Sequence, residues 1–93
     1  MSKLYSLEIV NAPLREKGKP NLMAHFESLT VALAWKDSID ENSPRTVEYR
    51  VWKDEGNYRT VLLDYSEGNQ HLRDPKEDKA LVDRILKEEE ATA

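Results

Sequence analysis

The sequence of 93 residues contains no cysteine, only three glycines and two histidines, and no long hydrophobic run. The absence of cysteine excludes a disulfide scaffold, a thiolate zinc site, an iron–sulfur cluster and a cysteine nucleophile. No apolar segment approaches the ~18 residues that a membrane-spanning helix needs, and the N-terminus lacks the apolar core of a signal peptide. We therefore expect a cytoplasmic protein that has no membrane partner.

The scarcity of glycine and histidine also removes most catalytic and metal-binding motifs. The three glycines are far apart, so no glycine-rich loop can cradle a phosphate. His25 and His71 belong to no pattern of metal-ligand spacing, and no nucleophile motif surrounds any of the serines. We accordingly expect no metal, no cofactor and no enzymatic activity.

What the chain does have is charge of both signs and regularly spaced apolar residues. It is 39% hydrophobic and 34% charged, with a formal charge of −4. The periodic apolar positions argue against disorder, and the length fits one hydrophobic core. We predict a single domain over residues 1–93, in which the acidic tail 88–93 frays because acid is unfavourable at the C-terminal end of a helix.

The spacing of apolar residues predicts six elements. Period-two alternation predicts a strand over 4–10 and a hairpin of strands 45–53 and 58–65, joined by a turn that contains Gly56. Ser28 is expected to cap a helix over 29–39, and Asp74 followed by Pro75 begins the last helix. The predicted fold is α+β, a four-stranded, mainly antiparallel sheet with two helices on one face, in the order ββαββα. The apolar stripe expected on the first helix is Leu29, Ala32, Leu33, Trp35 and Ile39, with Lys36 and Asp37 beside it.

Residues 22–27 permit two interpretations. Leu22, Ala24 and Phe26 alternate with polar or flexible neighbours, which predicts a strand that returns from a hairpin. The same segment also keeps helical spacing with the residues that follow it, and then 22–39 would be one helix in the order βαββα. The strand is favoured because Ser28 is a good N-cap for a helix that starts at Leu29.

The alternation in the hairpin gives it two faces. Trp52 and Leu62 are expected on one face and Val47, Tyr49, Val51, Val61, Leu63 and Tyr65 on the other. If the helices cover the second set, Trp52 and Leu62 are exposed beside Arg50, and Trp, Tyr and Arg dominate binding hot spots. The alternatives are that the helices cover the Trp52 face, or that both faces are partly buried. The predicted binding residues are Arg50, Trp52, Tyr58 and Leu62, with the loop residues Arg15, Lys17 and Lys19 as a secondary site.

These features favour a small non-enzymatic protein-binding module, of inhibitor or adaptor type, that occupies a surface of a larger protein. An open strand edge left by the second hairpin, 45–65, would also permit a homodimer or the addition of a strand from another chain. In size, acidity and lack of cysteine the chain resembles many small accessory proteins of bacteria and bacteriophages, a resemblance of composition that brings no site residue with it.

The alternative function is single-stranded nucleic-acid binding through the basic and aromatic side chains of the 45–65 hairpin. It has less support, because residues 37–93 carry nine basic and fifteen acidic side chains. A phosphate-binding surface needs a positive field, since counterion release supplies much of the affinity.

Overall fold

A computed structural model describes residues 4–10, 17–18, 21–42, 47–66 and 74–91. The predicted order ββαββα is confirmed, and the alternative of one helix over 22–39 is wrong. In this part of the chain no helix is long and apolar enough to cross a membrane. The elements are β1 (Leu4–Val10), β2 (Leu22–Phe26), α1 (Leu29–Asn42), β3 (Glu48–Glu55), β4 (Tyr58–Tyr65) and α2 (Pro75–Ala91).

The four strands form one antiparallel sheet in the order β2-β1-β3-β4. Leu7 in β1 pairs with Ala24 of β2 on one side and with Val51 of β3 on the other. β3 and β4 form the predicted hairpin, and Gly56 in its turn has a φ of 65°, which glycine adopts without a steric penalty. β2 and β4 are therefore the edge strands of the sheet.

Both helices begin at the predicted caps. The Ser28 hydroxyl accepts a hydrogen bond from the Val31 amide at 3.4 Å, and Asp74 Oδ1 accepts one from the Lys76 amide at 3.0 Å. These side chains satisfy backbone donors that the first turn of a helix leaves without a partner. Local sequence therefore determines where α1 and α2 start.

The core lies between the two helices and one face of the sheet. Tyr49 and Val51 of β3 are fully buried there, and the Tyr49 and Tyr65 rings meet edge to face with centroids 5.5 Å apart. The helices thus cover the Tyr49 face, and the alternative in which they cover the Trp52 face is wrong. The buried cluster consists of Tyr5, Leu7, Leu29, Ala32, Leu33, Tyr49, Val51, Leu63, Tyr65 and Ile85.

A bulge in the hairpin corrects one prediction. Val51 pairs with Leu63, but the next residue, Trp52, pairs with Val61, so β4 has an extra residue at this point. Leu62 consequently packs against the core, while Val61 lies on the uncovered face and is 42% exposed. The expectation that Leu62 is exposed and Val61 is core is wrong, because strict alternation takes no account of a bulge.

The orientation of α1 corrects a second prediction. Trp35, expected in the apolar stripe, is 56% exposed, whereas Lys36 is fully buried. The buried residues Leu29, Leu33 and Lys36 follow the three- and four-residue spacing of one helix face, and Trp35 lies about a third of a turn away from it. The spacing of Leu29, Leu33 and Lys36 indicates the buried face of α1 correctly. The prediction placed Trp35 on that face because tryptophan is apolar.

The acidic end of α2 contacts the sheet. Glu89 lies 3.1 Å from the Lys53 ammonium and accepts a hydrogen bond from the Tyr5 hydroxyl at 3.3 Å. Residues 88–91 are helical, and 92–93 lie outside the described residues. Fraying of the tail stays a prediction, and these contacts of Glu89 oppose it.

Candidate functional site

An exposed apolar surface lies at one edge of the molecule, where α1 passes over β2. Trp35 is 56% exposed, Leu22 53%, Val31 46% and Met23 39%. Trp35 connects two shallow depressions, one lined by α1 residues that include Val31 and Ala34 and one lined by residues of β1, β2 and α1. Apolar surface of this kind marks interaction sites more often than ordinary surface does. The surface formed by Leu22, Met23, Val31, Ala34 and Trp35 is named the edge patch.

The Trp35 indole is held in place although much of it faces solvent. Phe26, the last residue of β2, packs against the core, and its ring centroid lies 6.3 Å from that of Trp35. The indole therefore presents a large apolar area with little freedom left to lose on binding. A positioned, exposed tryptophan is the residue type most enriched in binding hot spots.

The edge patch continues onto an open strand edge. β2 pairs with β1, and no strand in the described part of the chain pairs with its outer side. Its residues, Leu22–Phe26, include no charged residue and no proline, and their pairing with β1 shows no register shift. Such an edge can accept a further strand by main-chain hydrogen bonding.

The predicted contact residues Arg50 and Trp52 lie on the uncovered face of the sheet, but they are bonded within the chain. The Trp52 indole N–H and Arg50 Nη1 each donate to Glu8 Oε1 at 3.0 Å. The Arg59 guanidinium lies 4.4 Å from the centroid of the Trp52 ring, and Arg59 also donates to Asp54 at 2.9 Å. Trp52 is therefore half-buried beneath an arginine rather than projecting freely.

Glu8 is the centre of this polar network. Its second carboxylate oxygen accepts a hydrogen bond from the Asn21 side chain at 2.8 Å. Burial alone would raise the pKa of Glu8, but the hydrogen bonds from Asn21, Trp52 and Arg50 outweigh it and hold the pKa below its usual value. The carboxylate stays ionised and links β1 to β3 and to Asn21, the residue that precedes β2.

Of the remaining predicted binding residues, the structure describes Tyr58, Leu62 and Lys17. Tyr58 is 62% exposed at the turn end of β4, and Leu62 packs against the core on the opposite face. Lys17 is exposed in a turn with Gly18, while Arg15 and Lys19 lie outside the described residues, as does His71.

A serine, a histidine and an aspartate meet on the uncovered face. Ser6 Oγ lies 3.0 Å from His25 Nδ1 and donates a hydrogen bond to Asp54. A nucleophilic triad needs an accessible serine bonded to a histidine that the acid orients, whereas here the serine is central and fully buried. The three side chains therefore connect β2, β1 and β3, and the arrangement supports no acyl-transfer chemistry.

Three carboxylates surround a buried ammonium group between the helices. Lys36 Nζ lies 3.1 Å from both Asp37 and Asp40 and also contacts Asp78. Burial alone would lower the pKa of Lys36, but the hydrogen bonds to Asp78 and Asp40 outweigh it and raise the pKa. Oxygens of the three acids lie within 4.8 Å of one another, a spacing that could also suit a metal ion. Because Lys36 already supplies a cation there, the cluster is structural.

Two buried tyrosines join this ionic cluster to the sheet. The Tyr49 hydroxyl donates to Asp40 at 2.8 Å, and the Tyr65 hydroxyl donates to Asp78 at 2.6 Å. Asp40 and Asp78 thus have a tyrosine partner as well as Lys36, and these bonds join α1 to β3 and α2 to β4.

Comparison of the chain with protein-family models, with curated proteins and with solved structures found no match in any of the three. The geometry of the chain itself is therefore the basis for inferring its function.

Proposed function

We propose that this protein is a small non-enzymatic protein-binding module, of inhibitor or adaptor type, that occupies a surface of a larger protein through the edge patch. The observation that carries the proposal is the Trp35 indole, 56% exposed in an uncharged surface beside an open strand edge. The composition supports a cytoplasmic accessory role in a bacterium or bacteriophage.

Energetics favour the edge patch over the uncovered sheet face as the contact surface. Each large apolar side chain that passes from half-exposed to buried contributes roughly 1 kcal/mol. At Trp52 the Arg59 guanidinium already lies 4.4 Å from the ring centroid, so a partner that contacts this ring face has to displace Arg59, which is bonded to Asp54. Polar groups that lose such partners on binding oppose association.

The same contacts weigh against nucleic-acid binding. Arg50 lies 3.0 Å from Glu8 and 3.4 Å from Asp64, and Arg59 lies 2.9 Å from Asp54. A phosphate would have to compete with these carboxylates for each guanidinium group. Arg50 and Arg59 therefore have carboxylate partners within the protein, and a partner of protein chemistry fits the available surface better.

The test is affinity capture from the native cell with the wild-type chain and two matched aromatic variants. Trp35→Ser removes the centre of the edge patch, and Tyr58→Ser removes an aromatic ring that is 62% exposed at the other edge of the sheet. We expect the same captured protein with wild type and Tyr58→Ser, and at least a tenfold lower recovery with Trp35→Ser.

Circular dichroism and thermal unfolding of both variants check that each is folded. Equal recovery with Trp35→Ser would contradict the proposal. Recovery of nucleic acid that falls steeply from low to moderate salt would favour the alternative function instead.

A further inference from the structure

We propose that in the free protein a second copy of this chain covers the edge patch, through antiparallel pairing of β2 with β2 of the other copy about a two-fold axis at Ala24. The inference rests on the proposed function, because it names the occupant of the same surface when the larger protein is absent. Dimerisation would then regulate access to Trp35.

The two edges of the sheet differ in how well they resist pairing. β4 carries Arg59 and Asp64 and is distorted by the bulge at Leu62, and charges and bulges are features that protect an edge strand. β2 carries neither, and Leu22, Met23, Ala24 and His25 are all exposed. Strand addition is therefore expected at β2 and not at β4.

β2 is complementary to itself in one register. The antiparallel register that pairs all five of its residues has the two-fold axis at Ala24. Leu22 then faces Phe26 of the second copy, Met23 faces His25, and the two Ala24 methyl groups face each other. Aliphatic–aromatic cross-strand pairs of this kind are favourable, and the small alanines leave the axis free of steric conflict.

Charge also permits this register although the chain has a net charge of −4. β2 contributes no charge to the seam, and beyond its end Glu27 faces Asn21 of the second copy rather than another carboxylate. Like charges directly opposite each other would oppose pairing, and this register creates none. A second copy thus supplies the uncharged, extended segment that the edge can accept.

The pairing would also cover the part of the edge patch that adjoins β2, where Leu22 and Met23 lie next to Trp35. Trp35 and Leu22 line one depression with Ala24, so a strand added beside β2 lies next to the exposed indole. The result is a continuous sheet of eight strands, four from each copy. One short strand and one helix flank form a smaller contact than the ~800 Å² per partner of a typical stable interface, so the dimer is expected to be reversible.

The experiment measures the mass of the purified chain by sedimentation over a range of concentrations, with variants at Ala24. Wild type should approach twice the 10.8 kDa of one chain as concentration rises. Ala24→Lys and Ala24→Glu should each stay at monomer mass, because like charges meet at the axis. An equimolar mixture of the two should recover the dimer, because opposite charges then meet there.

Tyr58→Lys is the matched control, since it adds the same charge at the other edge, opposite Glu55. It should dimerise like wild type. Because Ala24 is exposed, circular dichroism of both Ala24 variants should match wild type, and recovery on mixing shows independently that each is folded.

Three results would overturn the inference: a wild type that stays monomeric at every concentration, single Ala24 variants that still dimerise, or a mixture that stays monomeric. If the wild-type chain is monomeric and Ala24→Lys abolishes capture of the partner protein, the outer edge of β2 pairs with a strand of that partner instead of a second copy. Sedimentation uses the purified chain alone, whereas affinity capture uses the native cell. The dimer proposal and the proposed function can therefore be contradicted independently of each other.

Discussion

Neighbouring residues of α1 have opposite environments, and the more polar residue is the buried one. Lys36 is fully buried among three carboxylates, while Trp35 is 56% exposed in the edge patch. The Lys36 ammonium can be buried because three carboxylates take the place of its hydrating water. Trp35 is an apolar side chain, and it nevertheless remains exposed to solvent. Burial in α1 therefore follows the partners that are available to each side chain, and the proposed contact surface is built on the exposed residue.

The comparison predicts the largest loss of stability when Lys36 is replaced. Lys36→Ala leaves Asp40 and Asp78, with side chains only 22% and 15% exposed, without their cation. We expect the free energy of unfolding to fall by about 3 kcal/mol, measured by urea denaturation. A loss below about 1 kcal/mol would show that the ionic cluster is dispensable for stability and would contradict the contrast between Lys36 and Trp35.

Alkaline pH provides a check on Lys36 without a mutation. Since its pKa in the folded protein is raised above the usual 10.5, its contribution to stability is complete below that pH and is lost as pH rises through the folded pKa. Lys36→Ala should remove this part of the alkaline decline in the thermal midpoint, and a variant with the same decline as wild type would contradict the assignment.

Trp52, unlike Trp35, is hydrogen-bonded within the chain. Trp52→Ala removes a half-buried ring, its contact with Arg59 and one donor to Glu8. We expect about 2 kcal/mol lower unfolding free energy, with the fold retained. If the loss were no larger than that for Trp35→Ala, the distinction between a structural and a binding tryptophan would fail.

Acidic pH should lower the free energy of unfolding, because protonation of Glu8 weakens its hydrogen bonds on the uncovered face. Its pKa in the folded protein lies below the usual 4.5, so its stabilisation is present above pH 4.5 and is lost as pH falls through the folded pKa. Glu8→Gln should lower the unfolding free energy by about 1 kcal/mol at neutral pH and flatten the decline in acid. Denaturant unfolding from neutral to acidic pH measures both, and an unchanged acid profile in Glu8→Gln would contradict the role of this carboxylate.

The smallest effect on stability is expected at Trp35 itself. Trp35→Ala removes the contact with Phe26 but little buried area, so the unfolding free energy should change by no more than about 1 kcal/mol. The same denaturant series measures it. A loss comparable to that of Lys36→Ala would mean that the indole is part of the core and would remove the basis of the edge patch.

Local signals were sufficient to predict the elements of this fold. The caps Ser28 and Asp74 and the turn at Gly56 act over a few residues, and each lies where the sequence predicts it. The strand predicted over 45–53 is instead Glu48–Glu55, and the helix predicted over 29–39 extends to Asn42. The bulge at Leu62 was missed because it depends on how two strands pair rather than on one strand's pattern.

The candidate site was harder to predict because it depends on contacts between distant residues. The burial of Lys36 requires Asp78, which is 42 residues away in the sequence. Lys36 is buried against α2, and its neighbour Trp35 lies about a third of a turn away on the exposed side of α1. For Trp52, the partner Glu8 is 44 residues away, and sequence alone gave no sign that the indole N–H was already bonded.

α2 is bonded to the rest of the protein near both of its ends, which affects how it unfolds. Near its start Asp78 is bonded to Lys36 and Tyr65, and near its end Glu89 is bonded to Lys53 and Tyr5. Contacts near both ends of α2 oppose its unwinding from either terminus. Amide hydrogen exchange around Glu89 measures this opposition: slow exchange there would contradict the predicted fraying of 88–93, and fast exchange would support it.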